Sequence, residues 1–162
     1  PGSFTYTGSA ITPCTATVTR VGDANTTTNV VYANNINVGT ATADATYSGD
    51  ANHSGSTASQ VTFTITQAAS TVTVTCTAGA PYTYTGSPQT PCTAQATGAG
   101  MSPVNVTSSL VYSNNTNVGA ATAQANWAGD SNHTGNTGNS GFTINQAAST
   151  VTVTCTAGAP YT

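Results

Sequence analysis

Threonine alternates with small and branched apolar residues along much of this chain. The run at 70–75 reads Ser-Thr-Val-Thr-Val-Thr. Successive side chains of an extended strand point to opposite faces, so Val72 and Val74 share one face and the threonines take the other. Val61, Phe63 and Ile65 alternate with Thr62 and Thr64 in the same way. The windows 3–7, 14–20, 29–33 and 40–47 carry the same signal, and each has a counterpart in the second half of the chain. Turn-forming residues lie between them: Asn34 and Asn35, Val38 and Gly39, Ser48 to Asp50, and Gly98 to Gly100. No segment has helical spacing. The pattern predicts an all-β chain of short strands.

Those strands belong to an internal repeat. TYTG at 5–8 returns at 83–86, TPCTA at 12–16 at 90–94, and NVG at 37–39 at 117–119. GD-x-NH at 49–53 returns at 129–133, and QAASTVTVTCTAGAP at 67–81 returns unchanged at 146–160. The period is about 79 residues, short for a domain stabilised by core burial alone. About seven strands per period, spaced roughly ten residues apart, is the signature of an immunoglobulin-like β-sandwich.

The combination of TYTG-S-x-x-T-P-C, NVG, the GD-x-NH turn and FTI-x-QA-x-STVTVTC resembles the tandem bacterial immunoglobulin-like repeats of the MBG and Big type. The resemblance covers the whole chain. It implies tandem immunoglobulin-like sandwiches in a large secreted or surface-anchored bacterial protein, where such repeats serve as stalks, spacers and adhesive scaffolds. Beside it stands a departure: antibody-type domains join cysteines far apart in sequence, whereas here the expected pair is Cys76 with Cys92. Four cysteines in such a chain favour disulfides over metal ligands, because no short C-x-x-C spacing is present. Closing a loop of about 15 residues is worth roughly 3 kcal/mol in the chain-entropy estimate.

The cysteine phase sets the expected domain boundaries. Residues 1–67 form a repeat lacking its first strand, 68–147 a complete repeat, and 148–162 the first strand of a following or neighbouring-subunit repeat. Cys14 corresponds to Cys92, and Cys155 to Cys76. Their partners are therefore expected in an adjacent repeat or subunit. Beginning at Pro1, the chain is expected to be a mature or excised portion of something larger, either an excerpt of a continuous array or a subunit whose tail strand completes its neighbour by strand donation. In both cases the product is a head-to-tail string, and such a contact does not close on itself. The QAAST junction has no Gly or Pro run, which predicts a short linker and a fixed angle between repeats.

Charge changes the functional picture. Only 3% of the residues are charged, with one basic residue, Arg20, and four acidic ones, Asp23, Asp44, Asp50 and Asp130. Nucleic-acid binding and attraction to an anionic membrane need clustered Lys and Arg, so both are excluded as partners. No apolar run approaches the roughly 20 residues of a membrane span. Without Glu, and with scattered carboxylates, the chain is expected to be no enzyme and to need no cofactor or metal. His53 and His133 in the GD-x-NH turns read as turn structure; calcium at Asp50 or Asp130 would need more carboxylates gathered around it. The absence of Lys excludes an internal isopeptide bond. Tyr47 aligns with Trp127, Phe63 with Phe142 and Tyr32 with Tyr112, and these aromatics read as core.

Candidate N-glycosylation sites are Asn25, Asn52, Asn105, Asn114 and Asn132, with Asn52 and Asn132 equivalent and in a turn expected to be exposed. Together these readings predict a structural part of an extracellular or cell-surface bacterial filament or stalk, its partner another copy of itself. The alternative is an adhesin or carbohydrate-binding module that recognises glycans through the loops at 20–28 and 97–107, where the two copies differ most.

Overall fold

The Val-Thr alternation at 70–75 becomes a strand because it finds a partner. A computed structural model of the chain describes residues 2–76, 82–155 and 157–158. In the second repeat the strands are β8 (Ser70–Cys76), β9 (Tyr82–Thr83), β10 (Cys92–Gly98), β11 (Val104–Asn105), β12 (Val111–Ser113), β13 (Gly119–Gly129) and β14 (Thr134–Asn145), with one turn of 3-10 helix at Thr107–Ser109. Strand β8 runs antiparallel to β10 with Cys76 opposite Cys92 and Ser70 opposite Gly98. The sheet order is β11-β10-β8, and a second sheet has the order β12-β13-β14-β9.

One face of each sheet supplies a common core. Val72, Val74, Cys92, Ala94 and Ala96 from the first sheet meet Ala121, Ala123, Ala125, Phe142 and Ile144 from the second. The buried residues of β8, β10 and β13 fall at alternate positions, as the period of two requires. The alanines keep this layer thin. Gly138 of β14 thins it further, since a Cβ there would run into the carbonyl of Val72. The Phe142 ring meets Tyr82 and Tyr112 edge to face. Across the start of β10, the Tyr112 hydroxyl accepts from the Cys92 amide at 3.1 Å.

The first repeat has the strands β1 (Ser3–Thr5), β2 (Ala16–Arg20), β3 (Asp23–Thr28), β4 (Val30–Ala33), β5 (Gly39–Gly49), β6 (Ser54–Thr57) and β7 (Val61–Thr66). They form a sheet of order β1-β7-β5-β4, with β6 also on β5, and a separate hairpin of β2 and β3. Phe63 and Ile65 are buried with Ala41, and the Phe63 ring meets Phe4 and Tyr32 edge to face. Tyr32 repeats the tie made by Tyr112, its hydroxyl accepting from the Cys14 amide at 2.7 Å.

Two windows differ from expectation. Residues 20–28, expected as a variable loop, are mostly β3, because Gly22 at φ +85° turns the chain and Thr26–Thr28 then pair back on β2. The tail is the other. Residues 149–155, identical in sequence to β8, lie outside any strand, with Val151 89% and Val153 84% exposed. Their counterparts Val72 and Val74 are 7% and 8% exposed. The same sequence is therefore core in one place and solvated in the other.

Candidate functional site

Among the described residues no cleft gathers catalytic groups, and the most elaborate constellation lies where the two repeats meet. Gln67 to Ala69 connect β7 to β8, and this linker is bound along its length to the second repeat. The Ala68 amide donates to the Asn132 carbonyl at 2.9 Å, and the Thr134 amide donates to the Ala68 carbonyl at 2.9 Å. Gln67 Nε2 donates to the Asp130 carbonyl at 2.8 Å. From the first repeat, the Val38 amide donates to Asn132 Oδ1 at 3.0 Å, while Asn132 Nδ2 donates to Asn37 Oδ1 at 3.1 Å. One asparagine side chain thus satisfies a donor and an acceptor across the junction.

Glycines bring the two backbones together. Gly8 and Gly100 pack Cα against Cα, at φ +81° and +67°, and a Cβ on either would overlap the other. Only glycine meets both demands, the left-handed backbone and the missing side chain. Beside them Tyr6, 8% exposed, stands edge-on to His133, 2% exposed, with ring centroids 5.2 Å apart. Trp127 flanks the imidazole at 6.1 Å.

Both nitrogens of His133 face oxygen acceptors. Nε2 lies 2.7 Å from the Ala99 carbonyl and Nδ1 2.9 Å from Asp130 Oδ1. The imidazolium satisfies both at once. The Ala99 carbonyl holds the His133 pKa above its ordinary value; burial opposes this and Asp130 adds to it. In turn the His133 ring, with the amides of Asn132 and His133, holds Asp130 below the usual carboxylate range, against the effect of burial.

The equivalent turn of the first repeat is built alike and left open. His53 Nδ1 lies 2.8 Å from Asp50 Oδ1 and Nε2 3.1 Å from the Val21 carbonyl. That carbonyl and then Asp50 raise the His53 pKa. Tyr47 donates its hydroxyl to Asp50 Oδ2 at 2.7 Å, and this bond, with the amides of Asn52 and His53, holds Asp50 far below the carboxylate range. Arg20 pairs with the same carboxylate at 3.2 Å. Facing water, such an ion pair contributes little stability.

The remaining candidate residues fall into distinct environments. Cys76 and Cys92 are disulfide-bonded. Cys14, half-buried, and Cys155, exposed, are free thiols. Asn25, Asn52, Asn105 and Asn114 are exposed. Asn132 is partly buried, and its Nδ2, the atom a glycan would occupy, is spent on Asn37. Sequence reasoning grouped Asn52 with Asn132, and their difference is tertiary: one has a neighbouring repeat and the other does not. Tyr6, Gly8, Gly100 and Asn37 are junction residues that no local sequence pattern marks as a site. The signal available was TYTG and NVG recurring beside the GD-x-NH turn.

Beside the first repeat's core an apolar groove runs along β2. It holds about 240 Å³ near Cys14, Ala16, Val30, Ala43 and Val61. It continues for about 200 Å³ as a more polar stretch lined by Val18, Thr28, Ala45, Thr46, Ser56 and Ala58. Among the described residues β2 pairs with β3 alone, so its other edge is open. Ala16 and Val18 are partly exposed there, whereas Ala94 and Ala96 at the same positions of β10, which has β8 beside it, are buried.

No protein-family model matches this chain, and no curated protein is significantly similar to it.

Proposed function

We propose that this chain is a structural, non-enzymatic segment of an extracellular bacterial filament or surface stalk, in which immunoglobulin-like sandwich repeats follow one another head to tail. The junction carries the reading. Repeats that swing freely are joined by solvated linkers, whereas here the linker is hydrogen-bonded to the second repeat, and glycine backbones, Asn132 and the buried Tyr6–His133 pair lock the ends together. Stiffness of this kind serves a stalk. The two-sheet core of the second repeat suits a sandwich, and the Cys76–Cys92 bond suits an oxidising compartment outside the cytosol. A charged fraction of 3% lets repeat ends approach with little repulsion. Within the 97–107 loop, one of the two where a glycan-binding module would diversify, Gly100 is packed against Gly8 in the junction.

Small-angle scattering of the isolated chain tests the reading. A single rigid two-repeat particle is expected. A profile that only a broad distribution of inter-repeat angles can fit would sink the stalk reading.

A further inference from the structure

We infer that the open groove of the first repeat is the docking site for residues 149–155 of a second copy of this chain, closed by a disulfide between Cys14 and the incoming Cys155. The inference rests on the head-to-tail reading and names the partner and the contact.

The occupant is identified by its sequence. Residues 149–155 are identical to β8, and β8 already fills the equivalent position in the second repeat. Transferring the β8–β10 register places Cys155 opposite Cys14, Val153 opposite Ala16, Val151 opposite Val18 and Ser149 opposite Arg20. Val151 and Val153 would leave water for the groove lined by Ala43, Ala45 and Val61, and the open edge of β2 would gain its missing partner. The two free thiols of the chain would meet where the second repeat has Cys92 and Cys76.

A second observation points to the same partner. Each half of the inter-repeat junction is present again, uncovered, at an outer end of the chain. Tyr84, 42% exposed, corresponds to Tyr6, Gly86 to Gly8, and Asn117 and Val118 to Asn37 and Val38. At the other end His53, Asn52 and Gly22 correspond to His133, Asn132 and Gly100. A donor strand seated on β2 brings these two surfaces together in the order they have inside the chain, with Ala147 beside His53 as Ala68 is beside His133. The contact is heterologous, so it propagates. One place must adjust: Ala58 holds the register position of Gly138, and its methyl group meets the donor backbone. The chain at 58–60 lies outside β6 and β7 and is held to β5 by the Ala58 amide on the Ala45 carbonyl and by Gln60 on Asp44, so seating the donor requires these two ties to give.

Sealing is an oxidation. With a small disulfide such as oxidised glutathione as oxidant, the thiols of Cys14 and Cys155 lose two protons and two electrons, one S–S bond forms, and the oxidant's S–S bond is reduced to two thiols.

The experiment mixes two variants of the chain. Cys14→Ser can only donate to the disulfide, and Cys155→Ser, made together with Val151→Asp and Val153→Asp so that its own tail does not dock, can only accept. In a glutathione buffer the mixture is expected to give a covalent heterodimer carrying a Cys14–Cys155 peptide link. Docking raises the local thiol concentration to about the millimolar range, so the link is expected roughly 100-fold faster than with a donor also carrying Val151→Asp and Val153→Asp. Those valines are exposed in the free chain, so the donor's fold is not at stake. Amide exchange at 14–20 gives a thiol-independent reading: it is expected to slow when the Cys14→Ser chain is added. Equal rates with the Asp-bearing donor, a wild-type chain that closes Cys14 to Cys155 within one molecule, or unchanged exchange together with no heterodimer would each overturn the inference. A rigid two-repeat particle that forms no heterodimer keeps the stalk and discards the docking.

Discussion

The same substitution can be made twice in this chain, in identical sequence, with opposite expected outcomes. Val72 and Val74 are 7% and 8% exposed and belong to the core of the second repeat, whereas Val151 and Val153 are 89% and 84% exposed. Changing both members of a pair to Ala deletes two carbon groups from each side chain. At about 0.8 kcal/mol per buried group, plus a cavity contribution where the alanine-lined layer cannot collapse, the Val72→Ala, Val74→Ala protein is expected to lose about 3–5 kcal/mol. Single domains have about 5–15 kcal/mol to lose. For a repeat of this size the melting midpoint should fall by more than about 12 °C. The Val151→Ala, Val153→Ala protein, measured at high dilution where tails are undocked, is expected to stay within about 0.5 kcal/mol of the parent. Urea unfolding followed by the fluorescence of Trp127, which packs against the core containing Val72 and Val74, reads both. Equal losses in the two proteins would refute the placement of β8 as core and 149–155 as solvated chain.

Three further outcomes are expected at the junction. The raised pKa of His133 makes its contribution to stability fully present below the unfolded value of about 6.5 and lost as pH rises through the folded value; the lowered pKa of Asp130 makes its contribution present above the ordinary carboxylate pKa and lost as pH falls through the depressed one. Both contributions come from contacts inside the second repeat, so that repeat should be most stable in mildly acidic solution, and His133→Gln should flatten the loss on the alkaline side when melting midpoints are compared across pH. Gly100→Ala places a methyl group in the Gly8 backbone at φ +67°, so it should part the repeats while leaving each folded, visible in scattering as a longer and more flexible particle. Asn132→Ala removes the acceptor of the Val38 amide and the donor to Asn37, with an expected loss of about 1–3 kcal/mol, whereas Asn52→Ala at the equivalent position should cost less than about 0.5 kcal/mol in the undocked chain.

The legible strands were those whose alternation carries large side chains, β7 with Phe63 and Ile65 and β8 with Val72 and Val74. Strand β3, Asp-Ala-Asn-Thr-Thr-Thr, and strand β6, Ser-Gly-Ser-Thr, carry no apolar alternation, and pairing with β2 and β5 alone makes them strands. The site was less legible than the fold. His133 and Asn132 were noticed as turn residues, and Gly100 only as one of a run of turn glycines; their role at the junction depends on Tyr6, Gly8 and Asn37, roughly a hundred residues away along the chain.

The chain's own sequence determined that it is β-rich, that it repeats, and which side chains share a face, because a period of two and a period of about 79 are properties of neighbouring and recurring letters. It could not determine which copy of a repeated segment is buried. Ser-Thr-Val-Thr-Val-Thr-Cys is one string with one intrinsic preference, a strand beside β10 at 70–76 and solvated chain at 149–155. Strand formation satisfies backbone groups through a partner that no local pattern contains, so the tertiary structure alone decided where the valines are core, where the thiols remain free, and which edge of the molecule stands open.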